Sequence, residues 1–407
     1  MLSMTKLLRG DESFGDSLRY ASGPVTDLGG STGERGPVVV WNTTEACNLA
    51  CVHCYAEAVP RATEGELDTR EALRVVDQLA DFRVPVVLFS GGEPLLRPDL
   101  PRLISRAVRR GIRVVVSTNG TTLSEKMAEK LKEEGVSYVG ISLDGTEESH
   151  DRFRGRQGAF QETLHGLGNC VKAGLKVGVR FTIQASNKEQ IEDIFKIADG
   201  EGVSRVCFYH LVPSGRGRDH HSARLLPEET RGVMEQIIRW VLESEPGGTL
   251  REVLTVDNHA DGPYILLRAR ELAEERVDAI TALLARNGGN RSGIAIASIG
   301  PNGYLYPDQF SRRFPVGCVR ERSFGEIWSD ESNNLLRNLR NRRFLLTGRC
   351  RDCAWLWACN GNLRTRAEAL TGDFWASDPA CYLTDPEISE VQVQGRFSQG
   401  KPGMAAT

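Results

Sequence analysis

Val38-Val39-Val40-Trp41-Asn42-Thr43-Thr44-Glu45-Ala46-Cys47-Asn48-Leu49-Ala50-Cys51-Val52-His53-Cys54-Tyr55 sets the reading of the whole chain. The first five residues form a near-continuous apolar run, the pattern of a strand buried on both faces. A polar loop follows at once and carries three cysteines as C-x3-C-x2-C. Sheets of buried parallel strands gather their sites on such loops, at the carboxyl edge.

The same strand pattern recurs downstream at Val84–Ser90, Arg113–Thr118, Ser137–Leu143, Lys176–Ile183 and Arg205–Val212. Amphipathic helices are predicted between the strands, at Thr69–Asp81, Leu100–Arg110, Glu125–Glu134, Phe160–Ala173 and Lys188–Gly200, the first capped by Asp68 or Thr69. Six strand–helix alternations predict an α/β fold, a partial (β/α)6 TIM-type barrel over 37–215. Residues 1–36 read as an N-terminal extension. Residues 216–290 read as a helical insert, with helices at Pro227–Glu243 and Ala260–Ala285. Gly293–Asp308 reads as a hairpin turning at Gly300-Pro301-Asn302-Gly303. It opens a C-terminal domain over 291–390, before a polar tail, 391–407, expected to be disordered.

The chain has 407 residues, enough for two to three domains. A net charge of −3 argues against a non-specific nucleic-acid binder. No apolar run reaches membrane-spanning length, and residues 1–35 lack the apolar core of an export signal, so a cytoplasmic protein is expected. Ten cysteines in that setting point to metal or redox chemistry rather than disulfides. Seven of them cluster: Cys47, Cys51 and Cys54, then Cys350, Cys353, Cys359 and Cys381. Four thiolates close a metal or cluster site, whereas three leave a position open for chemistry. On residues alone, the triplet fits three irons of a [4Fe–4S] cluster, a structural zinc or three buried thiols. The quartet fits a zinc site as well, although its x5 and x21 gaps suit a zinc ribbon poorly.

Ser90-Gly91-Gly92-Glu93-Pro94 ends the second strand, Ser117-Thr118-Asn119-Gly120 the third and Ser142-Leu143-Asp144-Gly145 the fourth, with Arg180 inside the fifth. With the cysteine triplet, this constellation resembles the radical S-adenosylmethionine (radical SAM) superfamily from Pro37 to about Asp385. The resemblance implies a [4Fe–4S] cluster on Cys47, Cys51 and Cys54, with SAM chelating the fourth iron. It places His53 against adenine, Gly91, Gly92 and Glu93 at the SAM ammonium, and Asn119, Ser142, Asp144 and Arg180 at the ribose and carboxylate. Reduction of the cluster then cleaves SAM to a 5′-deoxyadenosyl radical, which takes a hydrogen atom from the substrate.

The C-terminal quartet and its hairpin resemble the SPASM/twitch domain, which implies a second, auxiliary [4Fe–4S] cluster on Cys350, Cys353, Cys359 and Cys381. Cys359-Asn360-Gly361-Asn362-Leu363-Arg364-Thr365-Arg366 and Asp378-Pro379-Ala380-Cys381-Tyr382 are similar to the haem-biosynthesis branches AhbC and NirJ. The first removes two acetates from 12,18-didecarboxysirohaem to give iron-coproporphyrin III; the second acts on propionates on the route to haem d1. Phe208-Tyr209-His210-Leu211 and Asp257-Asn258-His259 favour the first. Partners then implied are an iron tetrapyrrole and a small ferredoxin- or flavodoxin-like electron donor, with neither nucleic acid nor membrane. Tyr209, His210 and His259 are candidates to face the radical, ligate the substrate iron or donate a proton. Arg216, Arg218, Arg224, His220, His221, Arg364 and Arg366 are candidates for the substrate carboxylates. A peptide-modifying enzyme would carry an N-terminal recognition domain, for which residues 1–36 read as too short and polar. A purely structural scaffold would have no use for Gly91-Gly92-Glu93.

Overall fold

Each predicted apolar run becomes a parallel strand because an amphipathic helix follows it and returns the chain to the opposite edge. The computed structural model describes residues 1–20, 35–220, 223–245 and 248–389, so His221 and the 391–407 tail lie outside the described residues. The strands are β1 (Leu2–Ser3), β2 (Val38–Asn42), β3 (Val86–Ser90), β4 (Arg113–Thr118), β5 (Tyr138–Ser142), β6 (Val177–Ile183), β7 (Arg205–His210), β8 (Glu252–Val256), β9 (Ile296–Ile299), β10 (Tyr304–Tyr306) and β11 (Gly317–Cys318). They form one sheet in the order β1-β8-β7-β6-β5-β4-β3-β2-β9-β10-β11. From β2 to β8 every crossover steps to the adjacent strand on the same side, as in a barrel, and all these pairs are parallel. The chain is a mixed α/β protein built on this partial barrel.

The helices pack their apolar stripes outside it. Thr69–Asp81 buries Ala72, Val75, Val76 and Leu79, and begins at Asp68 in a reciprocal capping box with Glu71. No helix among the described residues is long and apolar enough to cross a membrane.

Three expectations need correction. The first twenty residues are not an extension: β1 pairs antiparallel with β8, and Met4, Leu7 and Leu8 of the helix Met4–Arg9 are buried. The stretch 216–290 is not wholly helical, since β8 continues the barrel there. Glu252 opens this strand. Its carboxylate is buried but neutralised by Arg19 and Arg205, and accepts from Ser13 at 2.6 Å. The single helix expected over Ala260–Ala285 is two, Asp261–Leu272 and Val277–Asn287. The break lets Arg276 donate to the carbonyls of Lys6 and Leu7 near the end of the N-terminal helix.

The C-terminal hairpin forms as read, with Leu305 opposite Ile299, and β9 also pairs parallel with β2 from Val38–Ile296 to Trp41–Ile299. The C-terminal region therefore extends the barrel sheet.

Candidate active site

The carboxyl ends of β2 to β8 surround a cavity enclosing about 200 Å³ and open to solvent. Cys47, Cys51 and Cys54 line one wall, from the loop that β2 releases. Local bonds fix this loop. Cys47 N–H donates to Val59 O at 2.8 Å, and Ala50 N–H to Arg154 O at 3.1 Å. Arg216 donates from Nε to Cys51 O at 2.9 Å and from Nη1 to Ala58 O at 2.7 Å. Arg216 is thus chiefly a clamp on the cysteine loop; only its Nη2 is left without a partner.

Gly91 and Gly92 lie against this loop so closely that glycine is required. Gly91 has φ +132°, and a Cβ on Gly92 would collide with the Ala46 carbonyl. Gly92 N–H and Glu93 N–H donate to Thr44 O and Ala46 O at 2.8 and 2.7 Å. The Glu93 carboxylate, expected at a SAM ammonium, points elsewhere. It is fully buried and accepts from Leu95 N–H at 3.1 Å, Thr118 Oγ1 at 2.8 Å and Asn119 N–H at 2.8 Å. Burial pushes its carboxyl up to about 7 despite those donors. Glu93 therefore ties β3 to β4. Asn119 itself lines the cavity and donates to Asn48 Oδ1 at 2.9 Å.

Asp144 is also turned from the cavity. Fully buried, it forms an ion pair with Arg154, lies 3.7 Å from His53 Nε2 and accepts from Thr182 N–H at 3.1 Å. It sets the two residues that do face the cavity. Arg154, which sequence reading missed, ends the helix Glu147–Arg154 and donates to Cys51 Sγ at 3.5 Å. His53 packs edge-on against Phe153, and desolvation pulls its imidazole down to about 4. Behind them His150 accepts from Asp144 N–H through Nδ1 at 3.1 Å.

Ser142, Arg180, Tyr209 and His210 line the far wall, with Asp257 at the end of β8. Arg180 donates to Ser117 Oγ, while its buried Nε has no partner. Gly140 on β5 makes room for it, since a Cβ there would overlap the guanidinium. His210 Nε2 sits 3.0 Å from Asp261, whose other oxygen accepts from Tyr382 at 2.8 Å. Burial raises the Tyr209 phenol, keeping it protonated. His259 does not reach the cavity. Its backbone N–H donates to Asn362 Oδ1 at 2.8 Å, and its buried Nδ1 has no partner. Gln309 and Phe310, from the C-terminal region, close one side, Phe310 edge-on to Tyr55 at 5.5 Å.

Arg364 and Arg366, expected at the substrate carboxylates, do not line the cavity: both are buried within the C-terminal region. There Cys350, Cys353, Cys359 and Cys381 converge closely enough for Cys359 to feel the charge of the other three. Cys318 stays on β11 opposite Tyr304, and Cys170 is a core residue.

The donor set fits two iron–sulfur sites: three thiols at an open cavity and four in a closed group. The orphaned Arg180 Nε, Arg216 Nη2 and His53 Nδ1 leave polar capacity at the first for a polar ligand. No three donors among the described residues meet at single-ion distances, so the fit rests on donor type, cavity and orphaned atoms.

Comparison with known proteins agrees. Residues 41–199 match the radical SAM superfamily, and residues 293–354 match the SPASM iron–sulfur cluster-binding domain, which includes Cys350 and Cys353. The chain is 47% identical to the Fe-coproporphyrin III synthase of Methanosarcina barkeri, over 97% of this chain and 100% of that one. It is 40% identical to the pre-heme d1 synthase of Dinoroseobacter shibae, over 86% and 87%. SuiB of Streptococcus suis, solved with its precursor peptide SuiA, shares the fold with a TM-score of 0.68 at 18% identity, over 86% of this chain and 76% of that one. With the open cysteine triplet at the barrel mouth and the closed quartet beyond it, these matches establish that the chain belongs to the radical SAM superfamily, as an enzyme that uses a [4Fe–4S] cluster and SAM and carries a further iron–sulfur site in a SPASM domain.

Proposed function

We propose that this enzyme removes the two acetate side chains of 12,18-didecarboxysirohaem to give iron-coproporphyrin III. The observation that carries the reading is the 47% identity to an Fe-coproporphyrin III synthase along essentially the full length of both chains. A peptide-modifying role is less well supported: the PqqA peptide cyclase of Granulibacter bethesdensis is 28% identical over 87% of this chain, and the solved structures, at 16–18% identity, speak for the fold.

Bound at Cys47, Cys51 and Cys54, a [4Fe–4S] cluster with SAM supplies a 5′-deoxyadenosyl radical for hydrogen-atom abstraction. The chain's own part is binding and exclusion. Gly91 and Gly92 would offer bare backbone to the SAM amino group, and His53 would contact the adenine. Arg180 and Ser142, both lining the cavity, would take its polar groups. Tyr209 supplies a neutral O–H at the substrate side. His210 is a positioned imidazole rather than a free base, because Asp261 holds its Nε2. Tyr55 and Phe310 keep water from the radical path. A small electron-donor protein of the ferredoxin or flavodoxin type feeds the clusters.

Anaerobically reconstituted protein should be incubated with SAM, dithionite and 12,18-didecarboxysirohaem. The tetrapyrrole should stimulate 5′-deoxyadenosine release and lose mass in two equal steps, one per acetate arm. One radical site cannot reach two pyrrole rings at once, so the substrate must turn or rebind, and a singly processed intermediate should accumulate early. Loss of propionates instead would move the enzyme to the pre-haem d1 reaction. Turnover of a peptide and no tetrapyrrole would sink the reading.

A further inference from the structure

A group of buried arginines in the C-terminal region is used neither by the barrel cavity nor by any exposed surface. Arg342, Arg364 and Arg366 are 1%, 2% and 0% exposed. Of these three, only Arg366 pairs with a carboxylate among the described residues, Asp378, on which Nε and Nη2 converge at 2.9–3.1 Å. Arg342 donates to Leu339 O, Asn290 Oδ1 and Ser292 O, at 2.8, 2.6 and 2.6 Å, all neutral acceptors. Arg364 donates to the carbonyls of Gly361, Phe374 and Ala376. Arg291, half-buried beside them, has a buried Nε without any partner.

Burying a guanidinium without a counter-charge is costly. Desolvation accordingly pulls Arg342 down to about 9, with Arg364 and Arg291 adding repulsion and Asp308 opposing it. Four cations (Arg291, Arg342, Arg364, Arg366) thus face two carboxylates (Asp308, Asp378), a surplus of two positive charges. Asp257, on the barrel side, has the Met1 α-ammonium as its stronger partner.

Beside this surplus lies the cysteine quartet: Arg342 is close enough to feel Cys359, and Arg364 to feel Cys350 and Cys359. Asn290, which accepts from Arg342, donates its N–H to Cys359 O at 3.1 Å, and Asn360 Nδ2 donates back to Asn290 O at 2.7 Å. Arg364 spans Gly361, just past Cys359, and Phe374–Ala376, just before Cys381. Asp378, held by Arg366, accepts Cys381 N–H on its backbone carbonyl at 3.0 Å. Four thiolates around an oxidised [4Fe–4S] core carry a net negative charge, which grows by one when the core is reduced.

We propose that Arg291, Arg342 and Arg364 are the built-in counter-charge of the auxiliary cluster and hold its reduction potential up, so that this site accepts an electron more readily than a four-thiolate cluster in neutral surroundings. The proposal rests on the reading that Cys350, Cys353, Cys359 and Cys381 hold a [4Fe–4S] cluster. These arginines act through charge on the cluster; they are not catalytic residues.

The test is an EPR-monitored redox titration of the reconstituted full-length enzyme, with iron counted in parallel. Arg291→Gln removes a charge whose Nε makes no hydrogen bond, so it should retain all iron and shift only the auxiliary couple to a more negative potential. Arg342→Gln should shift it further, and Arg342→Lys should restore it. The SAM-site couple should stay fixed throughout. An auxiliary potential unchanged in Arg291→Gln and Arg342→Gln at full iron content would overturn the proposal. So would equal loss of iron in Arg342→Gln and Arg342→Lys, because the hydrogen-bonding fork rather than the charge would then matter. Wild-type protein that takes up a single cluster would instead refute the two-cluster reading itself.

Discussion

His150 shows what a single buried proton does here. Its Nδ1 must stay unprotonated to accept the Asp144 N–H, and desolvation holds it down to about 4 against an ordinary 6.5. A base with a depressed folded pKa contributes stability that is complete above its unfolded value and is lost as pH falls toward the folded one. Between pH 6.5 and 4 this amounts to about 3 kcal/mol. Urea midpoints of wild-type protein should therefore drop over that window, with a shallower slope in His150→Gln; equal slopes would contradict the assignment. Glu93 gives a second residue-scale test. Glu93→Gln leaves one of three buried donors unmatched, which should cost about 1–3 kcal/mol of stability. A tenfold weaker SAM dissociation constant at unchanged stability would return that carboxylate to the cavity. Gly92→Ala acts the other way, displacing the cysteine loop and abolishing SAM cleavage. Neither the Glu93 tie nor Arg154 on Cys51 was legible in the sequence. Both depend on which loops the fold brings together, and a carboxylate after two glycines looks the same whether it faces in or out.

Elements read from sequence succeed where one periodicity dominates. Arg113–Thr118 and Thr69–Asp81 are found at their predicted bounds, because one is a run rich in β-branched residues and the other a capped amphipathic helix. β8 was missed: it is short and opens on a charge, Glu252, which only Arg19 and Arg205, distant in sequence, make tolerable. β1 failed because two residues make no pattern at all. Yet the N-terminal segment is structural: Leu7 is fully buried where the helix Met4–Arg9 meets β8 and the helix Pro227–Glu243. Leu7→Ala should cost about 2–5 kcal/mol in chemical denaturation. A change below about 0.5 kcal/mol, the range of ordinary surface substitutions, would show the segment to be a mere appendage.

For the whole molecule, two thiol groups predict about eight iron and eight sulfide per chain after anaerobic reconstitution. Replacing Cys47, Cys51 and Cys54 together by alanine should remove about half the iron and all SAM cleavage; full cleavage would refute the assignment. Both groups hang from a single sheet. β9 follows β2 in register from Val38 to Trp41, so the loop that bears the first thiols and the hairpin that precedes the second share one ladder of backbone bonds. The separation of the two thiol groups is therefore governed by covalent chain and strand spacing. Parting the two halves would mean unzipping the barrel's own edge.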